Sequence, residues 1–205
     1  MKVLQGQITP HFLYNTLNTI IGLSYSDENQ MREALQALAT YFRGKLNFEK
    51  SDEMISIEQE IELIRAYLSI EKIRFGDELN IVYDIDETVH FKLPSLTLQP
   101  LVENAIRHGI LKKEGQGTIK ITIKRTENGQ ALAIIEDDGV GMTEEKRQEL
   151  LNYTLASNHI GFSNVYRKTA LLNRATLALE SQPDMGTRVL ITFMEDEHVT
   201  GDFDR

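Results

Sequence analysis

Apolar residues recur at three- and four-residue spacing through the first 75 positions and then give way to alternation, so a helical part precedes a mixed one. Residues 11 to 23 read as a helix in which Leu13, Leu17, Ile20 and Ile21 form an apolar stripe, with His11, Asn15, Asn18 and Gly22 opposite. His11 therefore faces water or a partner. Met31, Leu35, Leu38, Phe42 and Leu46 form a second stripe, and Ile57, Ile61, Ile64 and Leu68 a third. Ser56 with Gln59 three positions later matches a capping box, and Ser26-Asp27 can cap the helix that precedes it. One-sided stripes must be covered. With so few helices, a two-fold bundle between two chains is the economical cover, and docking onto the rest of the same chain is the alternative.

Strand-like segments follow at Glu78 to Asp86, Gly117 to Arg125, Gln130 to Asp137, Ala175 to Ser181 and Thr187 to Met194. The intervening helices are expected over Pro94 to Gly109, part of Glu144 to Asn152, and Gly161 to Asn173. Asn128-Gly129 between two strands predicts a tight hairpin, hence antiparallel pairing, which argues against a doubly wound parallel sheet. The fold class read from this pattern is α+β, and the acidic tail from Glu195 to Arg205 is expected to fray.

Composition narrows the function classes. The chain has 205 residues, 41% of them hydrophobic, enough for a core, and no apolar run approaches the roughly 18 residues of a membrane span. A soluble, cytosolic polypeptide is expected. The absence of cysteine excludes disulfides and thiolate metal sites, and the histidines lack metal-ligand spacing. A net charge of −9 opposes direct binding to nucleic acid, which depends on cationic contacts to phosphates. An anionic nucleotide is still admissible where cations gather locally, and Arg107, Lys112, Lys113, Lys120, Lys124 and Arg125 are the available set, against a reading of most as solvated surface charge.

In the helix Leu96 to Gly109, Leu98, Leu101, Val102, Ala105 and Ile106 make the buried face, leaving Glu103, Asn104, Arg107 and His108 on the other side. Pairing of these polar groups one turn apart on a solvated face would also explain them. Asp137-x-Gly139-x-Gly141 follows a strand. Glycines there let backbone approach a ligand, and the carboxylate can accept from an exocyclic amine such as that of adenine. Gly161 opens a helix whose free amides favour phosphate, and Gly186-Thr187 leads into the last strand.

The order Asn104, Asp137-x-Gly139-x-Gly141, Gly161, Gly186-Thr187 resembles the ATP-binding domain shared by gyrase, heat-shock protein 90, histidine kinases and MutL, over about residues 76 to 194. Leu98 to Gly109, taken with Gln7 to Asn15 and Ala66 to Phe75, is similar to the sensor histidine kinases of the LytS/YesM type. The resemblance implies three parts: a helical dimerisation and phosphoacceptor region over 1–75, a Bergerat-type ATP-binding α/β sandwich over 76–194, and the tail over 195–205. It implies His11 as phosphoacceptor, Asn15 orienting its imidazole, Asn104 as the Mg²⁺ ligand and Asp137 as the adenine reader. Glu103 would hold a metal-bound water, and Arg107 or His108 would touch phosphates. Gly139, Gly141 and Gly161 would line the nucleotide, with Gly186 beside Thr187 and Thr187 supporting Asp137. The segment from Thr143 to Asn158 would be the lid. The implied partners are a response-regulator receiver domain and a second copy of the chain, and the implied setting is the cytosolic portion of a membrane-anchored sensor.

Thr9 capping a helix that starts at Pro10 would place a positive dipole end beside His11, while Pro10 kinking a longer helix is the rival reading. Phe12 follows the histidine where many other histidine kinases have an acidic residue, so the base is unassigned. His159 stands where the family has the first glycine before its lid helix, and Asp138 where asparagine is usual. Three other activities share the fold. ATP hydrolysis is disfavoured because Pro100, one turn before Asn104, cannot activate water. A serine kinase of the anti-sigma type would not need the region around His11, and a non-catalytic nucleotide-binding adaptor accords with His159.

Overall fold

The computed structural model describes residues 10–49, 54–156, 165 and 175–193. Helix α1 spans Pro10–Leu23 and α2 spans Glu28–Glu49; then come strand β1 (Met54–Ser56), α3 (Ile57–Phe75), β2 (Leu79–Ile85) and β3 (Lys92–Pro94). Helix α4 (Gln99–Asn104) runs on through a π turn (Ala105–Gly109), and β4 (Gly117–Arg125), β5 (Ala131–Asp137), α5 (Glu144–Ala156), β6 (Ala175–Ser181) and β7 (Thr187–Phe193) complete the order.

The main sheet has the order β2-β4-β5-β7-β6, with β2 parallel to β4 and the other pairs antiparallel. Gly129, at φ +80°, closes the β4–β5 hairpin as expected, because a two-residue turn of matching twist needs positive φ there. Ile119, Ile121 and Ile123 of β4 are buried, as period-two alternation requires, and Ala133 and Ile135 of β5 join them in the core. Helix α3 packs on β2, and the turn after α4 packs on β5. A second, two-stranded sheet pairs β1 with β3 and so ties the helical part to the strand before α4. Three-residue strands lie below what alternation can reveal, and this sheet was not expected.

The capping box at Ser56 and Gln59 forms, and Ile57, Ile61, Ile64 and Leu68 are all buried. The seams of the first two helices differ from expectation. In α1 the buried positions are Phe12, Thr16 and Ile20, while Leu17 and Ile21 are exposed; in α2 they are Ala34, Leu38, Tyr41 and Lys45, while Leu35 and Leu46 are exposed. Both helices have apolar residues on two flanks, and the flank that docks within the chain carries polar members whose bonds are met. Thr16 Oγ1 donates to the Phe12 carbonyl at 2.8 Å, for instance. Asp27 caps the following helix, accepting from Gln30 N at 3.0 Å, while Ser26 Oγ donates back to Gly22 O at 3.4 Å. The helix expected from Pro94 starts only at Gln99, because Leu96 turns the chain at φ +55°. Val165 is helical and fully buried; the rest of the expected helix Gly161 to Asn173 lies outside the described residues, as does Met194.

Candidate functional site

Helix α4 is held at its start, along one flank and beyond its end. The first amides of a helix have no partner within it and carry its positive dipole end. Here Glu60 of α3, with no exposed surface, accepts from the backbone N–H groups of Leu96 at 3.0 Å, Leu98 at 2.8 Å and Gln99 at 3.0 Å. Leu98, at the N-cap position, has no side-chain acceptor to do this itself. Along the flank, Glu103 accepts from Lys45 Nζ at 2.7 Å, Tyr41 OH at 2.9 Å and Gln99 Nε2 at 3.3 Å. Beyond the end, a Cβ added to Gly109 would run into the Asp137 carboxylate, and one added to Gly139 would run into the Gly109 backbone. The glycine run after β5 therefore seats backbone against backbone, whatever ligand it also admits.

Asp137, at the end of β5, is 5% exposed. Its Oδ1 accepts from Gly139 N at 2.9 Å, and the Thr187 backbone N–H also donates to it. Burial nevertheless pushes this carboxyl up to about 6, the two amides working against the shift and the charges of Asp138 and Glu136 with it. Thr187 Oγ1 lies 3.0 Å from Ser181 Oγ, which donates to Gly186 O at 2.8 Å; a Cβ on Gly186 would meet the Asp137 carbonyl. Gly141 sits in the same turn, and Asp138 accepts from Thr118 N at 2.7 Å and pairs with Lys113 at 3.3 Å.

Asn104 closes α4 half-buried, followed one turn later by the exposed Arg107 and His108. Partial burial, then the charges of Lys112 and Arg107, hold the His108 imidazole below its usual range. Of the remaining cations, Lys120 pairs with Asp84 at 3.0 Å and Arg125 donates to Gly129 O at 2.9 Å, so these two serve the sheet and its hairpin.

His11 is exposed in the first turn of α1. The amide nitrogen of Asn15 lies 3.2 Å from both ring nitrogens. An atom placed so in the ring plane would collide with the carbon between them, so the amide lies over the ring face and commits neither nitrogen. Phe12 faces inward, its ring centroid 5.2 Å from that of Tyr41 and 5.2 Å from that of Tyr67. This residue is the anchor of α1, which explains an aromatic beside the histidine. A cavity of about 220 Å³ opens next to it, lined among others by His11, Glu71, Arg74, Glu103 and Arg107. Thr9, His159 and Gly161 lie outside the described residues.

Glu60 and Lys45 were missed by sequence reasoning. Glu60 carries no local signal, since its partners lie in another segment. Lys45 does: four residues after Tyr41, on the flank of Leu38, a cation on that seam implies a buried anion opposite.

The family described as "Histidine kinase" matches residues 1–79, and "Histidine kinase-, DNA gyrase B-, and HSP90-like ATPase" matches residues 92–197. YwpD of Bacillus subtilis is 42% identical over 92% of this chain and 68% of its own length. Sensor histidine kinase YesM of the same organism is 33% identical over 94% of this chain but 33% of its own, so the chain spans about a third of that relative. The histidine kinase domain of the blue-light activated kinase EL346 from Erythrobacter litoralis has a TM-score of 0.51 at 15% identity, covering 90% of this chain and 95% of that one, a likeness of fold. A helical segment leading into a mixed sheet that carries the Asn104 helix and the Asp137 turn accords with both family matches, and the chain belongs to the sensor histidine kinases of the LytS/YesM type, with a gyrase- and HSP90-like ATP-binding fold.

Proposed function

We propose that this chain is the kinase core of a two-component sensor: ATP bound along α4 phosphorylates His11, and the phosphoryl group then passes to an aspartate of a response-regulator receiver domain. The observation that carries this reading is the joining, in one chain, of an exposed His11 to a helix that bears Asn104 and ends against Asp137. Asp137, its carboxylate short of donors, accepts from the adenine amine. The Asn104 amide oxygen is a hard ligand of the kind Mg²⁺ takes, and an ion that keeps its waters and phosphate oxygens needs few protein ligands. No cluster of three or more His, Asp or Glu suited to a metal occurs among the described residues. When bound, Mg²⁺ offsets the charge that develops on the phosphates. In this reading Arg107 and His108 contact the phosphates, Asn15 orients the His11 imidazole, and Gly139, Gly141, Gly186 and Thr187 frame the nucleotide, a role that the family resemblance extends to Gly161, outside the described residues.

Glu103 would hold a metal-bound water, and its Oε1, which accepts from Lys45 and Tyr41, also docks the helical region on α4. In this reading residues 1–75 serve phosphotransfer and dimerisation, 76–194 bind ATP, and the protein works in the cytoplasm. Leu17 and Ile21 on α1, with Leu35 and Leu46 on α2, form the flanks that a second copy would cover. The test is incubation with γ-labelled ATP and Mg²⁺. Acid-labile, base-stable label is expected, abolished by His11→Gln and prevented by Asn104→Ala; nucleotide binding with no label would leave an adaptor instead.

A further inference from the structure

We propose that His11 receives its phosphoryl group inside the cavity between α1 and α4, from the nucleotide held by its own chain, and that the Arg74 guanidinium is the cation the transferred group meets there. This rests on the kinase reading above and deepens it. His11 on α1 and Glu103, Ile106 and Arg107 on the α4 helix line one cavity, with Glu71 and Arg74 of α3 completing its polar wall. The approach is built in. Lys45 and Tyr41 of α2 hold Glu103, and Phe12, the residue after His11, packs on Tyr41 and Tyr67.

The helix sets the order of the parts. Gly109 packs on the Asp137 carboxylate, Asn104 lies five residues before it, about 6–8 Å along the axis, and Glu103 faces the cavity. Asn104 is not in the cavity wall, but the wall, with Glu103, Ile106, Arg107 and Leu111, runs alongside it toward the end against Asp137. The adenine acceptor Asp137, the metal position Asn104 and the cavity that His11 lines thus all adjoin this one helix of one chain. At about 220 Å³ the cavity is smaller than the roughly 300–1,000 Å³ that enclose a drug-sized ligand. It suits the phosphate arm and not a whole nucleotide.

Charge bears on the choice of Arg74. The transferring group spreads negative charge over its oxygens, and preorganised cations stabilise it. Of the two carboxylates in the wall, Glu103 is paired with Lys45 at 2.7 Å, and Glu71 also accepts from Tyr67. Arg74 approaches Glu71 only at 3.4 Å, longer than the roughly 2.7–2.9 Å of a tight charge-assisted bond, and stacks its guanidinium 4.4 Å from the Phe75 ring centroid. Its fork is positioned by stacking yet not clamped by the carboxylate. In the step, the lone pair of a neutral His11 nitrogen forms the P–N bond. The bond from the γ-phosphorus to the bridging oxygen breaks, ADP leaves with that electron pair, and the proton on the other ring nitrogen passes to water at the cavity mouth.

The experiment pairs differently tagged His11→Gln and Asn104→Ala chains, co-expressed and purified as a mixed species, with the wild-type chain alongside over a hundredfold range of dilution. Expected are a labelled wild type with a first-order rate constant independent of dilution, and no label on the Asn104→Ala chain of the mixed species. Where light scattering shows the chain to be monomeric and no mixed species forms, the dilution series decides. Label on Asn104→Ala in the mixture, or a rate that rises with chain concentration, overturns transfer within the chain. Arg74→Ala should label about a hundredfold more slowly with ADP affinity within twofold of wild type, and Arg74→Lys should recover part of the rate. Wild-type kinetics in Arg74→Ala overturn that assignment. An unlabelled wild type, by contrast, overturns the kinase reading itself.

Discussion

Replacing Asp137 with asparagine should make the protein more stable and less able to bind nucleotide. The carboxyl is 5% exposed and burial raises it from 3.8 to about 6, against the help of two backbone amides. A folded-state value above the unfolded one means that the native chain binds more protons between about pH 4 and pH 6. Stability therefore falls as pH rises through that window and stays reduced above it. Two units at about 1.4 kcal/mol each amount to roughly 2–3 kcal/mol lost by neutral pH. An asparagine side chain at this position would present no charge to desolvate and can still accept from Gly139 N. Urea unfolding at pH 5 and pH 8 should show the wild type losing about 1.4 kcal/mol between them through this group, the rest of the loss falling below pH 5, and Asp137→Asn losing that much less. ADP affinity should move in the opposite sense, weakening in the wild type as pH drops below 6, because the adenine amine needs the charged acceptor. A variant that is less stable than wild type at pH 8, or that keeps the full wild-type pH slope, would refute the argument from burial.

Three further outcomes follow from contacts described above. Lys45→Met leaves Glu103 with only Tyr41 and Gln99 as donors, and chemical denaturation should register a loss of about 2–3 kcal/mol; pairing it with Glu103→Gln should recover more than about 1 kcal/mol of the summed single losses. Glu60→Gln turns an amide donor toward backbone N–H groups that need an acceptor, so a loss of about 3 kcal/mol is expected, together with weaker Mg·ADP binding measured by calorimetry because α4 loses its cap. Ile21→Glu, on the exposed flank of α1, should leave thermal stability of the single chain nearly unchanged while light scattering reports loss of any dimer.

Local signals carried the sheet. The Asn128-Gly129 hairpin and the ends of β4 and β6 fall where residue types and period placed them, because turn chemistry and alternation act within a few residues. The capping box at Ser56 is equally local. The seams of α1 and α2 were not legible, since periodicity counts apolar residues and cannot say which of two apolar flanks is covered. The choice was made by Phe12 meeting Tyr41 and Tyr67, and by Lys45 meeting an anion that enters the chain only at Glu103. The start of α4 failed for the same reason: the carboxylate that caps it belongs to Glu60, and the backbone turn at Leu96 has no glycine to announce it. Of the site, Asp137, Gly139 and Gly186 were readable as a turn, but that Gly139 abuts Gly109 depends on two segments meeting.

The strand pairing of β1 with β3 and the reach of Glu60 to the amides before α4 bear on how this protein can be cut. A fragment starting at residue 76 would keep every glycine and carboxylate of the nucleotide turn. It would also have an uncapped α4, an orphaned β3 and a bared β2 face where α3 had lain. Such a fragment should express poorly or bind nucleotide weakly even with its motifs intact, whereas one starting at β1 retains the supports. The proposed division of labour near residue 75 is a division of chemistry; the cooperative unit that melts and refolds extends further toward the N-terminus, at least to Met54.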